Sequence, residues 1–276
     1  MAATGTETSA AASRQSGMVR DDALTICAIS VVASMAGTML HEGLGHAALA
    51  LHTGATSGVL STVAWSSVYE SRLVAAGGTL VNLAAGLVLW LCLRAARNAS
   101  PTLRFFLLIM MAFNLFTGTG YFFYSGVTNF GDWEQVIRGQ HPYWLWRTGL
   151  IVIGMVSYWG AMVVVAKSLV QFMGISPNDA VRFRRFTLLP YFTALLLEGF
   201  AGLLNPFGIR FVFESALAAT AGANCGLIWL RYYVPRGTAP GSHSEAIRRN
   251  YWWIAIAFAL AAAFIVILGP GVRLHQ

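Results

Sequence analysis

The stretch Ala23-Leu24-Thr25-Ile26-Cys27-Ala28-Ile29-Ser30-Val31-Val32-Ala33-Ser34-Met35-Ala36-Gly37-Thr38-Met39-Leu40-His41-Glu42-Gly43-Leu44-Gly45-His46-Ala47-Ala48 decides the reading of this chain. It begins as an uncharged apolar run and ends in two histidines and a glutamate. Taken on to Ala50, it exceeds the ~20 residues needed to cross a bilayer core. The rest of the chain agrees. Of 276 residues, 57% are hydrophobic and 11% are charged, whereas a soluble domain carries roughly 25% charged residues. Six more apolar runs follow: Leu73–Leu93, Leu103–Tyr124, Trp144–Val170, Phe186–Leu204, Phe211–Tyr232 and Tyr251–Leu268. The expected fold is an all-α polytopic membrane protein with about seven transmembrane helices. Residues 1–22 are polar and rich in Ala, Ser, Thr and Gly. They are expected to form a short disordered tail ahead of a retained helix, with no cleavage site of a signal peptide.

The basic residues alternate by loop. Arg14 and Arg20 precede the first run. Arg94, Arg97 and Arg104 lie between the second and third, and Lys167, Arg182, Arg184 and Arg185 between the fourth and fifth. Arg231, Arg236, Arg248 and Arg249 lie between the sixth and seventh. The opposite side holds only Arg72, Arg138, Arg147, Arg210 and Arg273. The positive-inside rule then predicts a cytoplasmic N-terminus. This bias accounts for the net charge of +7. No basic groove interleaved with aromatics points to nucleic acid. Cys27, Cys92 and Cys225 sit inside apolar runs without paired spacing and read as free thiols. Gly222 and Gly226 stand at the GxxxG spacing that suits close helix packing. Trp144, Trp146, Tyr232, Tyr233, Tyr251, Trp252 and Trp253 fall at span ends and read as interfacial anchors.

Ionisable groups inside a bilayer are costly, so each is a functional candidate. His41, Glu42 and His46 concentrate that cost within six residues. Neutral imidazoles ligate zinc, and a nearby carboxylate can take a proton from water at the metal. The usual helical arrangement, His-Glu-x-x-His, puts both histidines on one face. Here the spacing is His-Glu-x-x-x-His. On a regular helix it sets the rings about 140° apart. A π-bulge would bring them together, and Gly43 and Gly45 make such a distortion accessible. The same three side chains could instead form a metal-free hydrogen-bonded network. Asp132, in Asn129-Phe130-Gly131-Asp132-Trp133-Glu134, follows the third run. The first and third runs point the same way, so His41, His46 and Asp132 are expected to reach the same membrane face. Glu198 and Glu214 are further carboxylates within or beside apolar runs.

These residues resemble the site-2 protease family, the membrane-embedded zinc metallopeptidases, including its compact bacterial branch. Three elements carry the resemblance across residues 23–137. His41-Glu42 with Gly45-His46-Ala47 is similar to the family's His-Glu-x-x-His-Ala. Ala76-Gly77-Gly78-Thr79-Leu80-Val81-Asn82-Leu83 is similar to its Gly-Pro-x-x-Asn stretch. Asn114-Leu115-Phe116 with Gly131-Asp132 is similar to its Asn-Leu-x-Pro…Asp-Gly element. The resemblance implies a three-helix core over 23–137, and the apolar runs give about four further membrane helices over 138–276. It also implies a small membrane-edge β-hairpin within Thr56–Val68. It implies Zn²⁺ held by His41, His46 and Asp132, with Glu42 as the general base acting on water at the zinc. Asn82 would contact the substrate. The reaction implied is intramembrane proteolysis: hydrolysis of a membrane-protein or peptide substrate in or beside the bilayer of a bacterial cell membrane. Three other classes compete: a zinc-dependent membrane hydrolase of a non-peptide substrate, a proton- or ion-coupled transporter running through His41, Glu42, Glu198 and Glu214, and a catalytically inactive relative.

Overall fold

The computed structural model describes residues 21–69, 71–174, 180–206, 208–209, 212–234 and 246–276, excluding the side chains of 214–216 and 219. The expected disordered stretch 1–20, Arg210, Arg236 and the side chain of Glu214 lie outside the described residues.

Among the described residues, eight helical segments and a small sheet make up the fold in chain order. Helix α1 is Ala23–Thr53, β1 is Ser57–Leu60, β2 is Trp65–Ser66, α2 is Arg72–Ala95 and α3 is Pro101–Thr128. The short α4 is Asp132–Ile137, α5 is Tyr143–Met173, α6 is Ala180–Gly202, α7 is the mixed run 212–233, α8 is Tyr251–Leu268 and β3 is Val272–His275. Five of these, α1, α2, α3, α5 and α8, are long and apolar enough to cross a membrane. They match five of the expected runs.

Among the described residues the expected count of seven is not confirmed, for local reasons. Helix α6 opens with Arg182, Arg184 and Arg185 and carries Pro190 and Glu198, so it is too polar to qualify on apolar length. Across the Phe211–Tyr232 run, residues 212–233 change winding along their length. They wind as a π-helix over Val212–Gly222, pass through 3₁₀ turns and end in one α-helical turn and another 3₁₀ turn. Of the expected glycine pair, only Gly226 is a packing position. A Cβ there would stand 2.7 Å from the Tyr158 hydroxyl, whereas one on Gly222 would meet nothing within 4 Å.

Sequence signals set the boundaries. Asp22 caps α1 by accepting from Thr25 N–H at 2.9 Å, Ser71 caps α2 by accepting from Val74 N–H at 3.1 Å, and Ser100-Pro101 starts α3. These pairings satisfy donors that a helix start leaves open. Helix α3 lies at the centre, packed against α5, α2 and α1. Its buried Phe105, Leu108, Met111, Ala112 and Phe116 join Ile26 and Ile29 of α1 and Phe186 of α6 in the main core. Phe105 packs on Phe186 and Phe172 with ring centroids 5.0 and 5.7 Å apart. Outside, α2 and α5 expose Leu87, Val88, Leu91, Val152, Ile153 and Val156. An apolar surface of this extent suits contact with lipid.

The N-terminal end of α1 is clamped beneath this aromatic core. Asp21 is 3% exposed. It accepts from Arg182 Nε at 2.6 Å and from Ile247 N–H at 2.9 Å. The last residues of the expected tail are therefore packed against α6 and the segment before α8. At the other end, β1 pairs antiparallel with β2 in the expected hairpin, and β3 adds on the far side of β1, giving the order β2-β1-β3. The C-terminal strand is an addition that the hairpin's sequence does not announce.

Candidate metal centre

The first helix changes its winding where the histidines stand. Residues Met39–Ala48 form a π-helix between two α-helical stretches. A π turn accommodates one more residue than an α turn, so positions i and i+5 share a face. His41 and His46 consequently converge, with Nε2 atoms 3.3 Å apart. Helix α2 passes close against this segment at Gly45, Gly77 and Gly78. A side chain at any of the three would collide with the facing backbone or, at Gly78, with the imidazoles of His41 and His46.

Asp132 arrives from the end of α3. That helix stops at Asn129, which adopts the left-handed conformation with φ of 58°. Gly131 follows at φ 87° and ψ −165°, a conformation open to glycine. The turn delivers Asp132 as the first residue of α4. Its Oδ2 lies 3.2 Å from His41 Nε2 and 3.4 Å from His46 Nε2. The expected convergence of His41, His46 and Asp132 is present: one ligand atom from each lies within 4.8 Å of the others. Burial alone would raise the Asp132 pKa. The neighbouring imidazoles of His46 and His41 more than offset it and hold the carboxyl well below the usual carboxylate range.

The hydrogen bonds behind the rings fix which nitrogens face the cluster. His46 Nδ1 is 2.7 Å from the Val74 carbonyl, which can only accept, so Nδ1 carries the proton. For His41 the chain of constraint is longer. Asn114 Nδ2 donates to the Met110 carbonyl at 2.8 Å, which turns its Oδ1 toward Asn82. Asn82 Nδ2 donates to that oxygen at 2.8 Å, which turns its own Oδ1 toward His41 Nδ1 at 2.6 Å. His41 therefore also spends Nδ1–H on an acceptor. When uncharged, both rings would direct an Nε2 lone pair at Asp132 Oδ2, a buried oxygen with no hydrogen-bond partner. Three such atoms meeting this closely suit a shared cation, whether a proton or a metal ion. The ligands of a tetrahedral zinc at about 2.0–2.1 Å stand about 3.3–3.4 Å from one another. The observed edges of 3.2, 3.3 and 3.4 Å match that triangle.

Glu42 lies beside the triangle. Its Oε1 is 4.0 Å from His41 Nε2. Its Oε2 accepts from Trp65 N–H of β2 at 2.9 Å. A cleft of about 410 Å³ reaches the site between β2 and α4, with Trp65, Ser66, Asp132 and Gln135 among its walls. Behind Glu42, a cavity of about 50 Å³ is lined by His41, Asn82, Ser34, Thr38 and Glu198. Glu198 accepts from Ser34 at 2.9 Å and from Thr38 at 2.8 Å.

Asn82, to which the resemblance gives a substrate contact, is held between two neighbours. It is 1% exposed, and both ends of its amide are committed, to His41 and to Asn114. It positions the His41 ring. Three contributors carry no sequence signal for their part: the Val74 carbonyl, the Trp65 N–H, and Tyr121, whose ring lies 4.9 Å from that of His41. No family model, curated protein or solved structure matches this chain.

Proposed function

We propose that this chain is a membrane-embedded zinc metallopeptidase that hydrolyses peptide bonds within or beside the bilayer. One observation carries the reading. Two imidazole nitrogens and a carboxylate oxygen, each oriented as an acceptor, form a triangle with edges of 3.2–3.4 Å, and that triangle fits three ligands of tetrahedral zinc. Zinc bound by His41, His46 and Asp132 would polarise a carbonyl and make water more acidic.

The chain's own groups fit the remaining work. Glu42 Oε1 faces the cluster while Oε2 is pinned by Trp65 N–H. Oε1 is then placed to accept a proton from the water that attacks the peptide carbonyl. Glu42 returns that proton to the amine nitrogen as the C–N bond breaks. General acid–base action of this kind contributes about 10²–10⁴-fold. Two features favour an extended, apolar peptide over a small polar substrate. Strand β2 is an edge of the sheet and borders the cleft, and such edges receive extended peptides. Tyr121 and Tyr124 line both that cleft and an apolar cavity of about 530 Å³.

A second reading, a proton or ion path, draws on Glu198 sharing the inner cavity with Glu42. The separating experiment is cleavage of a reconstituted transmembrane peptide, with metal content measured alongside. The metallopeptidase reading expects activity in wild type, with Glu42→Gln retaining metal but losing about 10²-fold or more of the rate. Proton flux without cleavage, abolished by Glu198→Gln, would replace it with the transport reading.

A further inference from the structure

The end of the bundle opposite the metal centre carries a second built cleft. The C-terminal end of α2, the start of α3 and the last turns of α5 enclose a cavity of about 940 Å³. Arg94, Arg97, Arg104 and Lys167 line it, with no Asp or Glu among the described residues that do. Four cations gathered without a carboxylate repel one another unless an anion joins them. Their existing contacts leave that demand open. Arg97 Nε donates to the Arg94 carbonyl at 3.2 Å. The Arg94 guanidinium lies 4.9 Å over the Trp90 ring, and that of Arg104 lies 5.5 Å over Phe172. Arg104 Nε is buried with no hydrogen-bond acceptor.

The order of residues along the helices gives the cleft a direction. On α2, Trp90 and Leu93 precede Arg94, with Arg97 just past the helix end; on α5, Val163 and Val164 precede Lys167. On both helices the apolar wall lies toward the middle of the span and the cations lie at its end. A free phosphate would use only the cations. A phospholipid uses both parts, with its headgroup at the helix ends and an acyl chain along the wall. Basic pockets between helix ends are recognised sites for anionic headgroups.

We propose that this cleft binds an anionic phospholipid, with its phosphate among Arg94, Arg97, Arg104 and Lys167 and an acyl chain along Trp90, Leu93 and Val164. The site is independent of the metal centre, so it stands or falls separately from the peptidase reading.

The test uses the full chain in detergent. Phosphatidylglycerol and phosphatidylcholine of identical acyl chains are added in turn, and retained lipid is counted by native mass spectrometry. Arg97→Gln/Lys167→Gln removes two exposed cations, and Arg231→Gln removes one outside the cleft. Wild type and Arg231→Gln are expected to retain phosphatidylglycerol in preference to phosphatidylcholine. The double variant, monodisperse on gel filtration, is expected to bind phosphatidylglycerol roughly 30-fold more weakly, at about fivefold per lost cation. Equal retention of the two lipids by wild type would overturn the proposal, as would an unchanged preference in the double variant. Displacement of phosphatidylglycerol by equimolar glycerol phosphate would also overturn it, by making free phosphate the ligand.

Discussion

His46 Nε2 stands 3.3 Å from His41 Nε2, although five positions separate the two residues in the chain. The π winding of Met39–Ala48 makes this pairing. It supplies what a His-Glu-x-x-His helix obtains from regular α geometry. The extra residue is accommodated in the turn, and the histidines reach the same face.

This account predicts the effect of shortening the segment. Leu44 is 53% exposed and contributes nothing to the cluster. Deleting it should let the turn relax to α geometry and keep the histidines together at i, i+4. The deletion variant should bind metal within about tenfold of wild type, whereas an alanine inserted after Leu44 should abolish binding. Metal affinity by competition with a chromogenic chelator checks both. Loss of metal on deletion, in folded protein, would contradict the winding argument.

Gly78 tests the close approach of α2. A Cβ at this position would lie 2.7 Å from His41 Nε2, closer than real Cβ contacts fall. Gly78→Ala should therefore displace the ligands and lower metal affinity by at least about tenfold, in the range of changes to groups that orient ligands. Gly160→Ala, at a position with nothing within 4 Å, should leave it unchanged.

Asn82 is predicted to act through His41. Asn82→Leu removes the acceptor for His41 Nδ1–H and should cost about 10–100-fold in metal affinity. Asn114→Ala should cost less, since it leaves Asn82 in contact with His41. A substrate-binding Asn82 would instead raise KM with metal affinity untouched, so the two measurements separate the roles.

The Asp21–Arg182 pair should govern stability and leave the metal centre alone. Both side chains are under 10% exposed, so removing one partner strands a buried charge. Arg182→Ala should destabilise the protein by about 3–5 kcal/mol. The folded fraction should still bind metal, because the pair sits at the opposite end of α1 from His41. Denaturant unfolding in detergent, paired with metal content, reads both.

Much of the candidate site was legible because its costs are visible in the sequence. Two histidines and a glutamate in an apolar run call for partners. The five-residue spacing with Gly43 and Gly45 points to altered winding, and the shared direction of the first and third runs brings Asp132 to the same face. What the sequence does not display is carried by backbone. The Val74 carbonyl and the Trp65 N–H have no side-chain signature, and β3 joins β1 through a register that Val272–His275 does not advertise. Two of the expected spans in the second half, Phe186–Leu204 and Phe211–Tyr232, are not confirmed among the described residues. There, hydropathy sees the apolar content of 212–233 but not its mixture of π, α and 3₁₀ turns. It also counts Phe186–Leu204 apart from the arginines with which the helix begins.

The central claim is that His41, His46 and Asp132 hold a metal ion. Elemental analysis of the detergent-purified protein beside His46→Ala and Asp132→Ala tests it most directly. The account predicts about one zinc per chain in wild type, as a single site of this kind requires, and loss of that zinc in both variants with folding retained. Wild-type protein that takes up no metal even when zinc is supplied would contradict it, and would leave the convergent lone pairs to be bridged by a proton.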